Sequence, residues 1–315
     1  MATDLQRRLL TLCAVRHEHR NMSWELIARI AQRDRGLDLL YRGELPENSS
    51  VARDSLPVLQ SGLTDLTDAA QRVEDELLAA QRVGAHLVTV LDDDYPANLR
   101  LVPNLPPFLF VLGALRPDDA LSVAVVGTRQ ASDDGLARAA SLARQLVERG
   151  VTVTSGLARG IDAAAHKAAL DNGGRTVAVI GTGITRCYPA EHAGLSEEIA
   201  QRGAVVSQFW PTTPATRYTF PRRNVVMSGI AQGTVVIEAS RTSGAKMQAR
   251  LAAEHGKQVF LLRSLVATQE WAQRMIKCET ATAVDRVEDV VDRLASSDRV
   301  LRAGNQRSQL ALDLL

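Results

Sequence analysis

The chain has 315 residues, enough for one large domain and a small one, and its 45% apolar and 23% charged residues are an ordinary globular mixture. Lysine and arginine number 37 against 36 aspartate and glutamate, which excludes a uniformly basic surface, so any nucleic-acid site must be a local patch. Cys13, Cys187 and Cys278 fit neither a disulfide framework nor metal-ligand spacing, and no secretory signal or membrane span is readable. These features predict a cytoplasmic protein.

Residues 1–83 predict a small helical domain. Leucine and isoleucine recur at roughly helical spacing from Leu5 and again from Leu26, with Ser23 as the N-cap of the second helix. Residues 62–83 predict one more helix. Because no catalytic constellation is visible here, the role we expect is packing or protein contact.

Residues 84–296 predict an α/β domain. Apolar runs at 86–91 and 108–112 predict two strands. Further strands are predicted at 122–127, 151–155, 176–180, 204–208, 234–238 and 258–262, and helices at 132–149, 161–172, 191–202 and 243–255. Nearly continuous apolar strands alternating with helices are typical of a Rossmann-like, mostly parallel sheet flanked by helices. Residues 297–315 predict a short C-terminal tail.

Ligands of such sheets bind beyond the carboxyl ends of the strands, so these ends are where we expect a site. The first carries Gly127, Thr128 and Arg129, followed by a helix from near Ser132 whose unpaired amides would favour an anion. Arg129 adds a planar guanidinium that suits a phosphate. A tight turn with a surface arginine explains the same residues, and the dinucleotide GxGxxG fingerprint is absent.

The second strand end carries Ser155 and Gly156, with Arg159 before an alanine-rich helix. The Ser155 hydroxyl and the loop amides are predicted to donate to a phosphate. Asp162 and His166 lie four residues apart on one helix face, as an acid–base couple would. Packing is the simpler explanation for this pair, because no serine or cysteine nucleophile is tied to it.

Three further segments add candidate binding residues. Gly181 and Gly183 form a glycine-rich turn. Ser243 and Gly244 form a polar turn that opens the last predicted helix. Between them, one aromatic ring stands among basic and amide side chains: Arg217, Phe220, Arg222, Arg223 and Asn224. An aromatic face among arginines is what unstacked bases and phosphates need.

Together these segments resemble the DprA/Smf family of DNA-processing proteins. Its motifs follow in order over roughly residues 85–262: GTR at 127–129, SGLARGID at 155–162, FPRRN at 220–224 and the EA…SG element at 238–244. SGLARGID together with FPRRN is a highly specific signature. Departures after Phe260, and Ala245-Lys246 in place of a Ser-Leu pair, are typical of a diverged paralogue.

The resemblance implies a domain that binds single-stranded DNA in a basic pocket, forms a homodimer and helps to load a RecA-type recombinase, notably in natural transformation. The resemblance is equally compatible with a protein partner other than the recombinase. It implies no catalytic residues, no metal, no cofactor and no membrane contact. By position, Arg129, Arg217 and Phe220 match the DNA pocket of the family. Four other predicted residues lie in the shared motifs of the family: Arg159, Arg222, Arg223 and Asn224.

Two alternatives stay open. A diverged paralogue is able to act as a regulator, antitoxin or phage-defence component that senses DNA or a nucleotide-type ligand. A nucleotide phosphoribohydrolase would need a catalytic glutamate in a GG-x-GT-x-x-E signature. The stretch after Ser243-Gly244 has no glutamate until Glu254, which disfavours that enzyme.

Overall fold

The computed structural model describes residues 2–296 together with residues 299 and 300. The remainder of the predicted tail, 297–315, lies outside the described residues. Within the described part of the chain, no helix has both the length and the apolar character that crossing a bilayer requires.

The N-terminal part is helical, as predicted. It contains α1 (Asp4–Ala14), α2 (Trp24–Ala31), α3 (Gly36–Tyr41), α4 (Ser50–Gly62) and α5 (Thr67–Arg82), with a hairpin of β1 (Arg16–His17) and β2 (Arg20–Asn21) after the first helix. Three of these helices begin at a hydroxyl that accepts a hydrogen bond from a first-turn amide, at Thr3, Ser23 and Ser49. The predicted cap at Ser23 is therefore confirmed.

A nine-stranded sheet lies at the centre of the described residues that follow the N-terminal helices. Its strands are β3 (His86–Thr89), β4 (Phe108–Gly113), β5 (Ser122–Val126), β6 (Thr152–Ser155), β7 (Thr176–Val179), β8 (Ala204–Ser207), β9 (Gly233–Val236), β10 (Gln258–Leu262) and β11 (Thr282–Val284). The spatial order is β11-β10-β9-β5-β6-β7-β8-β4-β3. Only the β3–β4 and β4–β8 pairs are antiparallel, which confirms the predicted mostly parallel sheet.

Helices cover the sheet. They are α6 (Asp133–Glu148), α7 (Ile161–Asp171), α8 (Ala193–Arg202), α9 (Thr219–Ile230), α10 (Gly244–Glu254), α11 (Arg263–Thr268), α12 (Glu270–Lys277) and α13 (Glu288–Val291). Short 3-10 turns lie at Leu99–Leu101, Pro117–Ala120 and Ala190–His192. The strands and helices predicted after residue 84 end within two residues of the observed bounds. Helix α9 was not predicted from the sequence. Its first residues after Thr219 are Phe-Pro-Arg-Arg-Asn, which lack the helical spacing of apolar residues.

An aromatic cluster joins the N-terminal helices to the sheet. Phe108 on β4 is fully buried, and its ring centroid lies 4.9 Å from that of Trp24, 4.9 Å from that of Trp210 and 5.7 Å from that of Phe110. One continuous hydrophobic cluster therefore runs from α1 and α2 into the sheet. The domain boundary at residues 83 and 84 stays a prediction.

Replacing Phe108 by alanine is expected to lower the free energy of unfolding by about 3–5 kcal/mol, because it opens a cavity among three other aromatic rings. Urea unfolding followed by circular dichroism measures this loss. The control is Leu78→Ala on α5, where the side chain is 49% exposed and the expected change is within about 0.5 kcal/mol. Equal effects at the two positions would contradict the shared core.

Candidate functional site

A cleft of about 560 Å³ opens at the carboxyl ends of β5 and β9. From these neighbouring strands the chain proceeds in opposite directions, to β6 on one side and to β10 on the other. The cleft therefore lies at the topological switch point, where sheets of this kind bind ligands. It brings together these residues predicted from the sequence: Gly127, Thr128, Arg129, Arg159, Phe220, Arg223, Asn224, Ser243 and Gly244.

Phe220 forms one wall of the cleft from the first turn of α9. The Arg129 guanidinium carbon lies 5.2 Å from the centroid of its ring, and the Tyr188 ring centroid lies 5.5 Å away. Gly181 provides the space for this ring, since a Cβ there would stand 2.7 Å from Phe220 Cδ1. Gly181 thus contributes by positioning the aromatic side chain; no ligand contact is required of it.

A buried guanidinium lies beneath the cleft. Arg223 is 6% exposed and donates from Nη1 to the Val179 carbonyl oxygen at 2.8 Å. A Cβ at Gly156 would lie 1.6 Å from that Nη1, so glycine is required there. Burial raises the pKa of nearby Asp162, and the positive charge of Arg223 offsets part of that rise. SGLARGID and FPRRN are therefore coupled physically, since one supplies the notch and the carboxylate for the arginine of the other.

The polar groups at the ends of β5 and β6 are already engaged within the protein. The Ser155 hydroxyl is fully buried and donates to the Val125 carbonyl oxygen at 2.6 Å. The Gly156 amide donates to Asp162 Oδ2 at 3.1 Å, and the Thr128 amide donates to the Glu238 carbonyl oxygen at 2.7 Å. The contacts of Ser155 and Gly156 correct the expectation that this hydroxyl and this loop amide donate to a phosphate, because both groups hold the loops together instead.

The amino end of α6 is occupied by a carboxylate. Glu238 Oε2 accepts hydrogen bonds from the Ser132 amide at 3.2 Å and from its hydroxyl at 2.8 Å. A Cβ at Gly135 would lie 2.1 Å from the same oxygen, so glycine makes room for the carboxylate. At this helix start the Ser132 amide is thus paired with a carboxylate and the Gly135 amide with the Ser132 hydroxyl, and the negative charge of Glu238 would repel a phosphate.

Two of the predicted arginines are exposed: Arg159 lines the cleft, whereas Arg217 lies three residues before Phe220 and is not among the lining residues. Arg159 forms an ion pair with Glu191, and both side chains are at least half exposed, so the pair is easily exchanged for another anion. The Arg217 guanidinium carbon lies 4.7 Å from the ring centroid of Tyr218. Within the described residues, neither Arg217 nor Arg129 is paired with a carboxylate.

Two other predicted residues lie outside the cleft. The Arg222 guanidinium carbon stands 5.3 Å from the centroid of the Trp24 ring, so this side chain contacts the N-terminal helices. Gly183 is buried beneath the segment after β8, where a Cβ would lie 2.2 Å from the Pro211 carbonyl oxygen. Both residues make packing contacts outside the cleft, and their binding role stays a prediction.

His166 belongs to the core. The Thr176 hydroxyl donates to the Val153 carbonyl oxygen at 2.7 Å, so it accepts from His166 Nδ1, also at 2.7 Å. Burial lowers the pKa of His166 to about 3, and the positive charge of Arg223 adds to this effect. A histidine that stays neutral inside the protein does not form an acid–base couple with Asp162, which supports the packing interpretation.

The low pKa of His166 predicts a loss of stability in acid. The unfolded chain takes up a proton as the pH falls below 6.5, whereas folded His166 does not until about pH 3. The stabilisation that neutral His166 adds to the free energy of unfolding is therefore full well above pH 6.5. Below pH 6.5 it falls by up to about 1.4 kcal/mol per pH unit. Urea unfolding should show the wild type losing about 2 kcal/mol more than His166→Gln between pH 6.5 and about pH 5. Parallel pH curves for the two proteins would contradict a neutral buried imidazole.

One amide in the cleft, Gln248, lies outside the sequence motifs, and it joins Asn224 of the FPRRN motif there. Gln248 on α10 is 1% exposed, and within the described residues neither its Oε1 nor its Nε2 has a hydrogen-bond partner. Asn224 on α9 is 6% exposed and lines the same cleft. Leaving a buried amide unpaired costs about 1–3 kcal/mol, so such a group calls for an explanation such as a ligand. The available signal was a glutamine on the alanine-rich buried face of α10, where Ala245, Ala249 and Ala252 pack.

Comparison with known proteins decides the family. The family model of DNA recombination-mediator protein A matches residues 86–295. This chain belongs to that family. Protein Smf of Escherichia coli K12 is 36% identical over 250 residues, which cover 76% of this chain and 67% of that protein. DNA processing protein DprA of Streptococcus pneumoniae R6 is 39% identical over 174 residues, 55% of this chain and 61% of that protein. The alignments thus span about two thirds of these curated DprA/Smf relatives.

The fold agrees with this assignment. The X-ray structure of DprA from Streptococcus pneumoniae superposes with a TM-score of 0.72 and 27% identity, covering 94% of this chain and 99% of that chain. That coverage takes in the N-terminal helices as well as the sheet. DprA from Helicobacter pylori, whose structure concerns its mode of binding single-stranded DNA, has a TM-score of 0.59 and 22% identity over 66% of this chain and 94% of its own. This second likeness supports the fold.

Proposed function

We propose that this DprA-family protein binds single-stranded DNA at the mouth of the cleft, through Arg129, Arg217 and Phe220, and acts as a recombination mediator without a catalytic step of its own. The observation that carries the proposal is the Arg129 guanidinium, which lies over the half-buried Phe220 ring at the switch point of the sheet and has no carboxylate partner in the described residues. The binding of single-stranded DNA by the Helicobacter pylori relative supports it.

The chemistry of these side chains suits a flexible polyanion. Guanidinium groups bind phosphate through several N–H donors, and an aromatic face stacks a base for about 1–3 kcal/mol. In a duplex the bases are paired and stacked inside the helix, so the Phe220 ring has no access to a base face. The proposed site therefore favours single strands and tolerates any sequence.

The two alternatives are disfavoured by the charges around the cleft. A nucleotide sensor of Rossmann type would hold a phosphate at the amino end of α6, where the Glu238 carboxylate lies. A hydrolase would need a free carboxylate facing the ligand. Among the described residues that line the cleft, the one acidic side chain is Asp162, whose Oδ2 is already bonded to the amides of Gly156 and Ala158.

The wider assembly is proposed on the family resemblance. It comprises a homodimer, a RecA-type recombinase or another protein as partner, work in the cytoplasm and natural transformation as one setting. The proposal includes no cofactor and no metal; within the described residues no cluster of three or more histidine, cysteine, aspartate or glutamate side chains is arranged to hold a metal ion.

Arg129→Ala is expected to weaken binding of a fluorescein-labelled oligothymidine at least tenfold, because it removes both a phosphate contact and the cation over Phe220. Fluorescence anisotropy at several salt concentrations measures the affinity. The slope of log affinity against log salt should fall by about 0.7 if one phosphate contact is lost. A duplex of the same length should bind more weakly to the wild type.

The matched control is Arg144→Ala. Arg144 also lies exposed on the surface, near the carboxyl end of α6 at the opposite edge of the sheet, and pairs with Glu148. Its loss should leave both affinity and salt slope unchanged. Equal binding of duplex and single strands, or equal effects of the two substitutions, would overturn the proposed function.

A further inference from the structure

Two tyrosines are exposed beside Phe220. Aromatic residues make up only 4% of the chain, and most of them are buried or half-buried. Among the described residues, the aromatic side chains that stand out as exposed are Tyr188, at 44%, and Tyr218, at 65%. Exposed aromatic rings gathered at one place on a surface mark a binding site more often than they serve packing.

The rings and cations form two groups: Tyr188 and Arg129 lie against Phe220, whereas Tyr218 and Arg217 form a separate pair at the start of α9. Tyr188 is tilted by 52° against Phe220, with the ring centroids 5.5 Å apart. Tyr218 precedes Phe220 by two residues at the start of α9, and Arg217 lies over its ring and donates from Nη2 to its hydroxyl. Arg129 lies over Phe220. Each of the two arginines is thus already placed against an aromatic ring.

We propose that Tyr188 and Tyr218 are DNA-binding residues: Tyr188 extends Phe220 into a two-ring platform, and Tyr218 with Arg217 provides a further stacking position two residues before Phe220 in the chain. Neighbouring bases of a single strand stack on these rings, and Arg129 and Arg217 hold the phosphates that join the bases. This inference rests on the proposed function and adds to it two contact residues and a footprint of several nucleotides.

The tilt of the rings favours a single strand. In duplex DNA successive bases of a strand are stacked about 3.4 Å apart and nearly parallel. The Tyr188 and Phe220 rings are tilted by 52°, so bases that stack on both rings are not parallel to each other. Each base then exchanges contact with its neighbour for contact with a ring, which a paired duplex does not allow.

The charges favour a polyanion over a protein partner. Tyrosine and arginine are also common at the centres of protein interfaces. Here, however, Arg129 and Arg217 have no carboxylate partner in the described part of the chain, and Arg159 is held by an exposed ion pair with Glu191 that a phosphate is able to replace. Repeated phosphates satisfy all of these cations along one strand.

The test separates a stacking ring from other roles of a tyrosine. Tyr188→Leu and Tyr218→Leu remove the ring and keep an apolar side chain, whereas Tyr188→Phe and Tyr218→Phe keep the ring. In anisotropy titrations with oligothymidine, each leucine variant should bind about 5- to 150-fold more weakly, which corresponds to the loss of one stacked base. The phenylalanine variants should stay within about twofold of the wild type.

Tyr41→Leu is the matched control. Tyr41 belongs to α3 in the N-terminal helices, and the Arg8 guanidinium carbon lies 4.7 Å from its ring centroid, the same distance as in the Arg217–Tyr218 pair. Its substitution removes an equivalent tyrosine–arginine contact away from the cleft and should not change binding. Thermal melts of all variants show whether a loss of affinity reflects unfolding.

Oligonucleotides that carry abasic sites complete the test. If the rings stack bases, the wild type loses affinity for an abasic strand, and the leucine variants lose little more. Leucine variants that bind oligothymidine as tightly as the wild type would overturn the platform, and the proposed function would still stand if Arg129→Ala abolishes binding. Failure of the wild type to bind any single strand would instead overturn the proposed function itself.

Discussion

The buried guanidinium of Arg223 is the contact on which the site depends. It enters a notch that exists because residue 156 is a glycine, donates to the end of β7 at Val179, and lies near the carboxylate of Asp162. The hydrogen bond to Val179, the nearby charge of Asp162 and the close fit at Gly156 hold the start of α9 in one position, although Arg223 Nε has no partner within the described residues. Phe220 lies in the first turn of α9. The position of the Phe220 ring is therefore fixed by the contacts that Arg223 makes within the protein, whether or not Arg223 itself contacts a ligand.

Charge is distributed unevenly around this anchor. Two acidic groups lie inside or behind the cleft, where Asp162 accepts from loop amides near the buried arginine and Glu238 closes the start of α6. Within the described residues Arg129 and Arg217 have no carboxylate partner, whereas Arg159 pairs with the exposed Glu191. In a chain with a formal net charge of only +1, this separation creates a local basic surface without a basic protein. It also moves the expected phosphate contacts away from backbone amides and onto arginine side chains.

The distribution of apolar residues was sufficient to predict the sheet, because strands buried on both faces are apolar at almost every position. The rule that parallel strands end at a common edge then placed Arg129 and Phe220 together. The structural contacts of Ser155, Arg222 and Gly183 could not be predicted from the sequence. Whether a polar group points inward depends on partners far away in the chain, such as Val125 for Ser155 or Trp24 for Arg222. The exposure of Tyr188 and Tyr218 likewise follows from tertiary structure alone, and no motif contains it.

Helix α9 also connects the two parts of the molecule. Within four consecutive residues it carries the ring at the cleft, an arginine that lies over Trp24 of the N-terminal helices, and the buried anchor. A helical turn is stiff, so a shift of α2 against the sheet tilts the aromatic surface. Substitutions around Trp24 are thereby expected to alter nucleic-acid affinity at a distance, and the N-terminal helices act as a mechanical support for the recognition surface.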